Sequence, residues 1–165
     1  KDQPEWQRER FRTHIRAARR CGKPLVVHTR DSAADTLRVL KEEGADAVGG
    51  VMHCFTENWD IARLALDLGF YLSFSGIVTF RNAKELKEVA KKVPLDRLMI
   101  ETDAPYLLPR DLPHKPAHRR NEPQYLPHVA AAVALARGES VEALAAHTTA
   151  TARAFFALPE APRAQ

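Results

Sequence analysis

The chain has 165 residues, a length that fits one ordinary domain rather than two full-sized ones. Hydrophobic residues make up 45% and charged residues 28% of the sequence, which excludes a disordered or a fibrous chain. No apolar run approaches the ~20 residues of a membrane-spanning helix, and the first ten residues lack the apolar stretch of a secretory signal. We therefore expect a cytoplasmic protein in which Cys21 and Cys54 are buried, reduced thiols.

The net charge of +4 is unevenly distributed along the chain. Residues 1–23 contain eight basic and three acidic side chains. A second basic cluster lies in a proline-rich stretch and consists of Arg110, Lys115, Arg119 and Arg120. This charge gives weak support to a polyanionic partner such as nucleic acid, because arginine-rich helix faces are usually solvated surface.

Apolar strand patterns alternate with amphipathic helix patterns along the chain. The predicted strands span 24–28, 50–55, 70–74 and 97–102. The predicted helices span about 4–21, from Asp31 or Ser32 to Gly44, from Thr56 or Asn58 to Gly69, from an Asn82 cap to about Val93, 124–137, and 141–157 after a Ser140 cap. A long loop covers 103–123, and residues 159–165 are predicted to form a disordered tail.

Strands separated by helices of ~10–12 residues are typical of right-handed parallel βαβ units. The strands are apolar throughout, so we expect an α/β fold whose parallel sheet is covered on both faces. Two architectures fit this pattern: an open doubly wound sheet, and part of a (β/α)8 barrel, for which 165 residues are few. The pattern alone leaves both open.

Three side chains that commonly bind metals follow predicted strands directly. His28, His53 and Asp103 each lie at the carboxyl end of a strand, where both architectures place their active sites. Because these strand ends converge, we interpret the two imidazoles and the carboxylate as a site for Zn²⁺, Mn²⁺ or a similar ion. A lone histidine in such a position is more often a hydrogen-bonded structural residue, but three such strand ends favour the metal site.

Glu101 lies two positions before Asp103 and therefore on the same face of its strand. We expect one of these two carboxylates to bind metal while the other forms a hydrogen bond or orients water.

Polar side chains near these strand ends are candidates for substrate binding. Arg30 lies at the start of a loop and has a planar guanidinium suited to a phosphate, although pairing with Asp31 is an equally good interpretation. In the long loop, Arg119, Arg120 and Asn121 are candidates to bind phosphates or bases, because long loops in compact domains are usually functional. A solvated linker with ordinary surface charges is the alternative.

Four short motifs occur in order along the chain. They are VHTRD at 27–31, VMHCFT at 51–56, IETDAPYL at 100–107 and RNEP at 120–123. Their order and spacing resemble those of the TatD-type metal-dependent deoxyribonucleases. The resemblance extends over nearly the whole chain.

The resemblance implies a (β/α)8-barrel hydrolase that cleaves phosphodiester bonds of DNA, in single strands or at ends, from the 3′ terminus. It implies a centre of two divalent ions, Mg²⁺, Mn²⁺ or Zn²⁺, in which His28 and His53 bind one ion and Asp103 the other. Asp103 would also orient or deprotonate the attacking water. Paired ions suit this chemistry because they promote hydroxide formation and stabilise the attacked and leaving oxygens.

The family also has a His-x-His pair on its first strand and a glutamate on its third, and this sequence has neither. By this likeness, residues 1–158 form the carboxyl-terminal part of the domain, a partial TIM barrel of the metal-dependent hydrolase type that lacks the first strands. We expect an amino-terminal segment or an oligomer to complete the site. The chain by itself would hold one ion or none and have impaired activity.

Two other functions are compatible with these residues. The same fold and metal chemistry would serve an esterase or amidase, such as an aminoacyl-tRNA deacylase, because a fold does not determine function. A non-catalytic barrel fragment is the other alternative, because three ligands of about six make a weak metal site.

Overall fold

The computed structural model describes residues 4–159, so the predicted tail lies outside the described residues except for Pro159. Helices and strands alternate as the sequence predicts. The strands are β1 (Leu25–His28), β2 (Gly50–His53), β3 (Tyr71–Phe74) and β4 (Leu98–Ile100). The helices are α1 (Glu5–Cys21), α2 (Ala33–Glu42), α3 (Trp59–Asp67), α4 (Lys84–Lys92), α5 (Leu126–Arg137) and α6 (Val141–Phe155).

Side-chain caps begin two of the helices. The Asn58 side chain accepts a hydrogen bond from the third residue beyond it, and Ser140 does the same at the start of α6. The predicted cap of α4 by Asn82 is wrong, because α4 begins one residue later, after Ala83, without a side-chain hydrogen bond. Asn82 is instead part of the turn that connects α4 to a short 3₁₀ helix at Gly76–Thr79.

The four strands form one parallel sheet in the order β1-β2-β3-β4. A helix follows each of the first three strands, as expected for consecutive βαβ units. The register pairs His28 with His53 across β1 and β2, and Phe74 with Ile100 across β3 and β4. The carboxyl ends of all four strands therefore lie along one edge, and two histidines are neighbours on it.

The core lies between the sheet and the helices that pack on it. Large side chains from the strands and the turns beside them are fully buried, among them Phe55, Phe70, Phe74, Leu72 and Leu98. Burial of each contributes about 1.5–3 kcal/mol to stability. Helix α5 packs against α4 and α6, and α6 packs against β4 at one edge of the sheet.

The edge strand β1 is buried on one face only. Leu25 and Val27 are buried, whereas Val26 and His28 are exposed. The prediction that the sheet is covered on both faces is wrong for this strand, because the described residues leave 60% of Val26 accessible to solvent. Alternate residues of β1 thus face solvent at the edge where the sheet has no further described neighbour.

Two expectations from composition are also tested by the fold. Among the described residues, no helix is long and apolar enough to cross a bilayer. Cys21 and Cys54 are both free thiols, but Cys21 is exposed near the end of α1, so the prediction of two buried thiols is wrong for it.

Arg137 ties the end of α5 to the end of α4. Its Nη1 donates to the carbonyl oxygens of Ala90 at 2.7 Å and Val93 at 2.6 Å, and its Nε donates to the carboxylate of Glu139 at 3.0 Å. The last carbonyl groups of a helix have no partner within the helix. The nearly buried arginine side chain supplies those partners for α4.

We expect Arg137→Ala to lower the free energy of unfolding by about 1–3 kcal/mol, because carbonyl groups at the end of α4 lose a charged donor. The control is Arg63→Ala, which removes an exposed arginine from α3 and should change this free energy by less than ~0.5 kcal/mol. Urea unfolding followed by circular dichroism measures both. Equal losses for the two variants would contradict the role assigned to Arg137.

Candidate metal centre

His53 lies at the centre of a cluster of ionisable side chains at the carboxyl edge of the sheet. Its Nδ1 is 2.7 Å from Glu101 Oε1, and its Nε2 is 3.3 Å from Asp103 Oδ1. One ligand atom from each of these three side chains lies within 4.8 Å of the other two. One imidazole thus has a carboxylate beside each of its ring nitrogens.

The backbone after β2 and β4 explains this convergence. Cys54 has a φ of 48° and Asp103 has a φ of 59°, in the left-handed region that residues other than glycine uncommonly adopt. The Cys54 N–H donates to Glu101 Oε2 at 3.1 Å, and the Glu101 N–H donates to the Phe74 carbonyl at 2.9 Å. Glu101 is therefore bonded to both the end of β3 and the turn after β2. Left-handed residues of this kind cluster at functional sites.

Glu101 is the most buried member of the cluster, with 17% of its side chain exposed. Its Oε1 is buried and accepts no hydrogen bond of good geometry from residues 4–159, although His53 Nδ1 is close to it. A buried carboxylate oxygen needs a donor, so a proton on Nδ1 is the favoured arrangement. That tautomer leaves the lone pair of His53 Nε2 available to a metal ion.

The donor set fits a divalent cation. Imidazole nitrogen and carboxylate oxygen are ligands of Zn²⁺ and of related divalent ions. Two ligands held ~2.1 Å from one ion at a tetrahedral angle lie roughly 3.4 Å apart. His53 Nε2 and Asp103 Oδ1 have nearly this separation. Both side chains are about one-third exposed, so the cluster is open to solvent.

His28 lies beside the cluster rather than within it. Its ring centroid is 5.8 Å from that of His53, and the planes of the two rings are inclined by 53°. Two imidazoles on one ion have centroids roughly 5–6 Å apart, given nitrogen–metal distances of ~2.0–2.1 Å. The structure thus brings His53 and Asp103 together, with His28 adjacent. It adds Glu101, which the sequence marks only by its spacing of two from Asp103.

Cys54 is adjacent to His53 but is poorly suited to metal binding or nucleophilic attack. Its Sγ lies 3.3 Å from Ser75 Oγ in a buried environment. Burial raises the pKa of the Cys54 thiol, and the negative charges of Glu101 and Asp103 raise it further, whereas the contact with Ser75 lowers it. The thiol therefore stays protonated near neutral pH, while ligation and attack require the thiolate.

The predicted substrate-binding residues have different environments. Arg30, Arg119 and Arg120 are exposed. Among the described residues, Arg30 forms no ion pair with Asp31, so its guanidinium remains available to a ligand. The three arginines stay candidates for substrate contact.

Asn121 is only 3% exposed and is bonded to the loop itself. Its side-chain nitrogen donates to the carbonyls of Thr102 at 2.7 Å and Leu107 at 3.4 Å, and its side-chain oxygen accepts from the Glu122 N–H. Burial and these bonds make Asn121 a brace for the segment that carries Asp103. Its assignment to substrate binding stays a prediction, and its contacts favour a supporting role.

Much of the positive charge near the amino terminus is neutralised within the chain. Arginines of α1 and α2 form ion pairs with acidic residues of α2 and with Glu43, which directly follows α2. The arginines concerned are Arg8, Arg12, Arg16 and Arg38. The excess of basic residues in 1–23 therefore includes several that already have acidic partners.

A parallel α/β sheet with an imidazole–carboxylate cluster at its carboxyl edge is an arrangement typical of metal-dependent hydrolases. The family model described as "TatD related DNase" matches residues 1–157, so the chain belongs to this family.

Relatives of known sequence agree with this membership, and a solved structure shares the fold. The chain is 52% identical over 143 residues to the uncharacterized metal-dependent hydrolase YcfH of Escherichia coli K12, covering 87% of the chain and 52% of that protein. It is 41% identical over 156 residues to the "3'-5' ssDNA/RNA exonuclease TatD" of Klebsiella pneumoniae, covering 94% and 59%. The crystal structure of YJJV, a TatD homolog from Escherichia coli K12, matches with a TM-score of 0.83 at 24% identity, covering 96% of the chain and 60% of that structure. This structural match shows the TatD-like α/β fold, and the chain spans about half the length of the curated relatives it matches.

We expect Glu101→Gln to weaken binding of Mn²⁺ or Zn²⁺ by roughly 10–100-fold, because the anion that orients His53 is lost. Glu88→Gln, which neutralises an exposed carboxylate on α4, is the matched control and should leave affinity unchanged. Isothermal titration calorimetry on folded samples measures both variants. Unchanged affinity in Glu101→Gln would refute the orienting role.

Proposed function

We propose that this protein hydrolyses phosphodiester bonds of nucleic acid at a divalent-metal centre, with single-stranded DNA or DNA ends as substrate, starting from the 3′ terminus. The observation that carries the proposal is the position of His53 between Glu101 and Asp103 at the carboxyl edge of the sheet. Membership of the family supports the metal chemistry. The name of the Klebsiella pneumoniae relative supports nucleic acid as substrate.

His28, His53 and Asp103 are the proposed ligands, and Glu101 is the proposed orienting group for His53. Bound there, a divalent ion would supply Lewis acidity toward the phosphate and lower the pKa of water. The closeness of His53 Nε2 and Asp103 Oδ1 supports at least one ion shared by these residues. The second ion of the family needs ligands in addition to these.

In this proposal, residues of the chain itself orient the metal ligands and the substrate, and accept the proton of the attacking water. The Cys54 N–H fixes the Glu101 carboxylate, which in turn holds the proton on His53 Nδ1. Asp103 is accessible to water, and its carboxylate orients the attacking water and accepts its proton. Exposed guanidinium groups near the edge, Arg30 and Arg119, bind substrate phosphates by bidentate hydrogen bonds.

We also propose that residues 1–158 form the carboxyl-terminal part of a TIM-barrel-type domain. Both β1 and β4 pair with one strand only within residues 4–159, and Val26 is exposed beside His28. Strands supplied by an amino-terminal segment or by a second copy would cover this face and add ligands. The chain in isolation would accordingly have impaired activity.

We expect Asp103→Asn to lower metal-dependent nucleotide release by at least ~100-fold, because the proposed base and metal ligand is lost while side-chain volume is kept. Asp96→Asn is the matched control, since Asp96 is exposed and precedes β4 at the opposite edge. The assay follows labelled single-stranded DNA with Mg²⁺ or Mn²⁺, against EDTA, using the protein with any further segment of its natural polypeptide.

Two results would contradict the proposal. One is nucleotide release that persists in EDTA, and the other is equal activity in Asp103→Asn and Asp96→Asn. Steep loss of activity with salt would further support a phosphate-rich substrate, whereas a small neutral ester would be cleaved with little salt dependence.

A further inference from the structure

A pocket of about 610 Å³ lies in the loop that follows β4. Its lining includes two aromatic residues, Phe80 and Tyr106, and three basic residues, Arg110, Lys115 and Arg119. The Tyr106 N–H donates to the Asp103 carbonyl at 2.9 Å, so the pocket begins one tight turn beyond a proposed metal ligand. A pocket of this size suits a ligand larger than a single phosphate group.

The basic residues of the pocket have no acidic partners among residues 4–159. Arg110, Lys115 and Arg119 are absent from the ion pairs of the described chain, in contrast to the paired arginines of α1 and α2. Three unneutralised cations around one concave surface create a positive potential that attracts a polyanion. The pocket therefore combines a concave surface with unpaired positive charge, which suits it to bind phosphates.

The aromatic residues offer flat faces beside these charges. Tyr106 is 70% exposed, and the Arg110 guanidinium lies 4.9 Å from the centroid of the Phe80 ring. Bases of a single strand stack on exposed aromatic rings irrespective of sequence, while cations bind the connecting phosphates. The two kinds of side chain in this pocket are the two that such binding requires.

The walls of the pocket are held in place by the fold. The Arg110 N–H donates to Thr79 Oγ1 at 2.8 Å, which anchors the loop to the 3₁₀ helix after β3. A Cβ at Gly76 would lie 2.0 Å from the Leu107 carbonyl oxygen, so the loop packs directly on the glycine. Together with the Asn121 brace described above, these contacts preform the pocket, and ordering it on binding costs little.

We propose that this pocket binds a second nucleotide of the strand whose neighbouring phosphodiester lies at the metal centre. The base stacks on Tyr106, and Arg110, Lys115 and Arg119 contact the flanking phosphates. The inference rests on the proposed function in taking nucleic acid as the substrate. It adds the residues that would distinguish a polynucleotide from a small phosphodiester.

The test is binding of a fluorescein-labelled oligothymidylate, followed by anisotropy in EDTA so that no hydrolysis occurs. Lys115→Gln combined with Arg119→Gln should weaken binding about tenfold or more at 0.1 M salt. The double variant should also reduce the slope of log K against log salt by ~1.4, or ~0.7 for each lost phosphate contact. Tyr106→Ala should weaken binding about tenfold, whereas Tyr106→Phe should retain it.

The matched control is Lys23→Gln combined with Lys91→Gln, which removes two exposed lysines at the opposite edge of the sheet. An equal loss of oligonucleotide affinity in the two double variants would overturn the inference, because the attraction would then come from the overall positive charge and not from the pocket. An unchanged affinity in Tyr106→Ala would also overturn it. Pocket-dependent binding without metal-dependent cleavage by the protein together with any further segment of its natural polypeptide would support the pocket and contradict the proposed function, so the two failures are distinguishable.

Discussion

The contact between Glu101 and His53 is the constraint on which the rest of the site depends. It joins the residue after β4 to the end of β2, across the intervening strand β3. Burying the carboxylate costs free energy, which the hydrogen bond from the Cys54 N–H partly offsets. His53 Nε2 lies 3.3 Å from Asp103 Oδ1, and the parallel register sets His28 alongside. Residues at the end of β2 and after β4 thereby form one cluster, with His28 at the end of β1 beside it.

The loop after β4 carries the basic pocket for which we propose a nucleotide as ligand. Asn121 fixes the loop to the segment that carries Asp103, while Gly76 and Thr79 fix it to the turn after β3. The proposed metal ligands and the basic side chains are consequently connected through one loop. Such preorganisation would lower the entropic cost of placing a phosphate near the proposed base. Several arginines of α1 are paired with acidic residues of α2 and its C-cap, whereas Arg110, Lys115 and Arg119 of this loop are in no ion pair among the described residues.

Much of the fold and the residues near the strand ends can be predicted from the sequence. The patterns that predict them are hydrophobic periodicity, helix caps and glycines at helix ends, and each depends only on residues close together in the chain. His28 and His53 are the last residues of β1 and β2 for this reason, and Asp103 lies three residues beyond β4. Which of the two ring nitrogens of His53 each carboxylate approaches is not predictable from the sequence, because Glu101 and Asp103 share one face of the predicted strand. The burial of Asn121 cannot be predicted from the sequence either. A polar residue in a basic loop is naturally interpreted as one that contacts a ligand. The solvent exposure of β1 and of Cys21 depends on which helices and strands pack against them, and this is determined by tertiary structure rather than by the local sequence.

The proposed site requires His53 to bind a divalent ion through Nε2 while Glu101 contacts Nδ1. Crystals soaked in Zn²⁺ would reveal the position of this ion by anomalous diffraction. We expect a peak at ~2.0–2.2 Å from His53 Nε2 and from an Asp103 carboxylate oxygen, with Glu101 still in contact with Nδ1. A peak bonded to Nδ1 and Glu101, or no peak at this edge of the sheet, would contradict it.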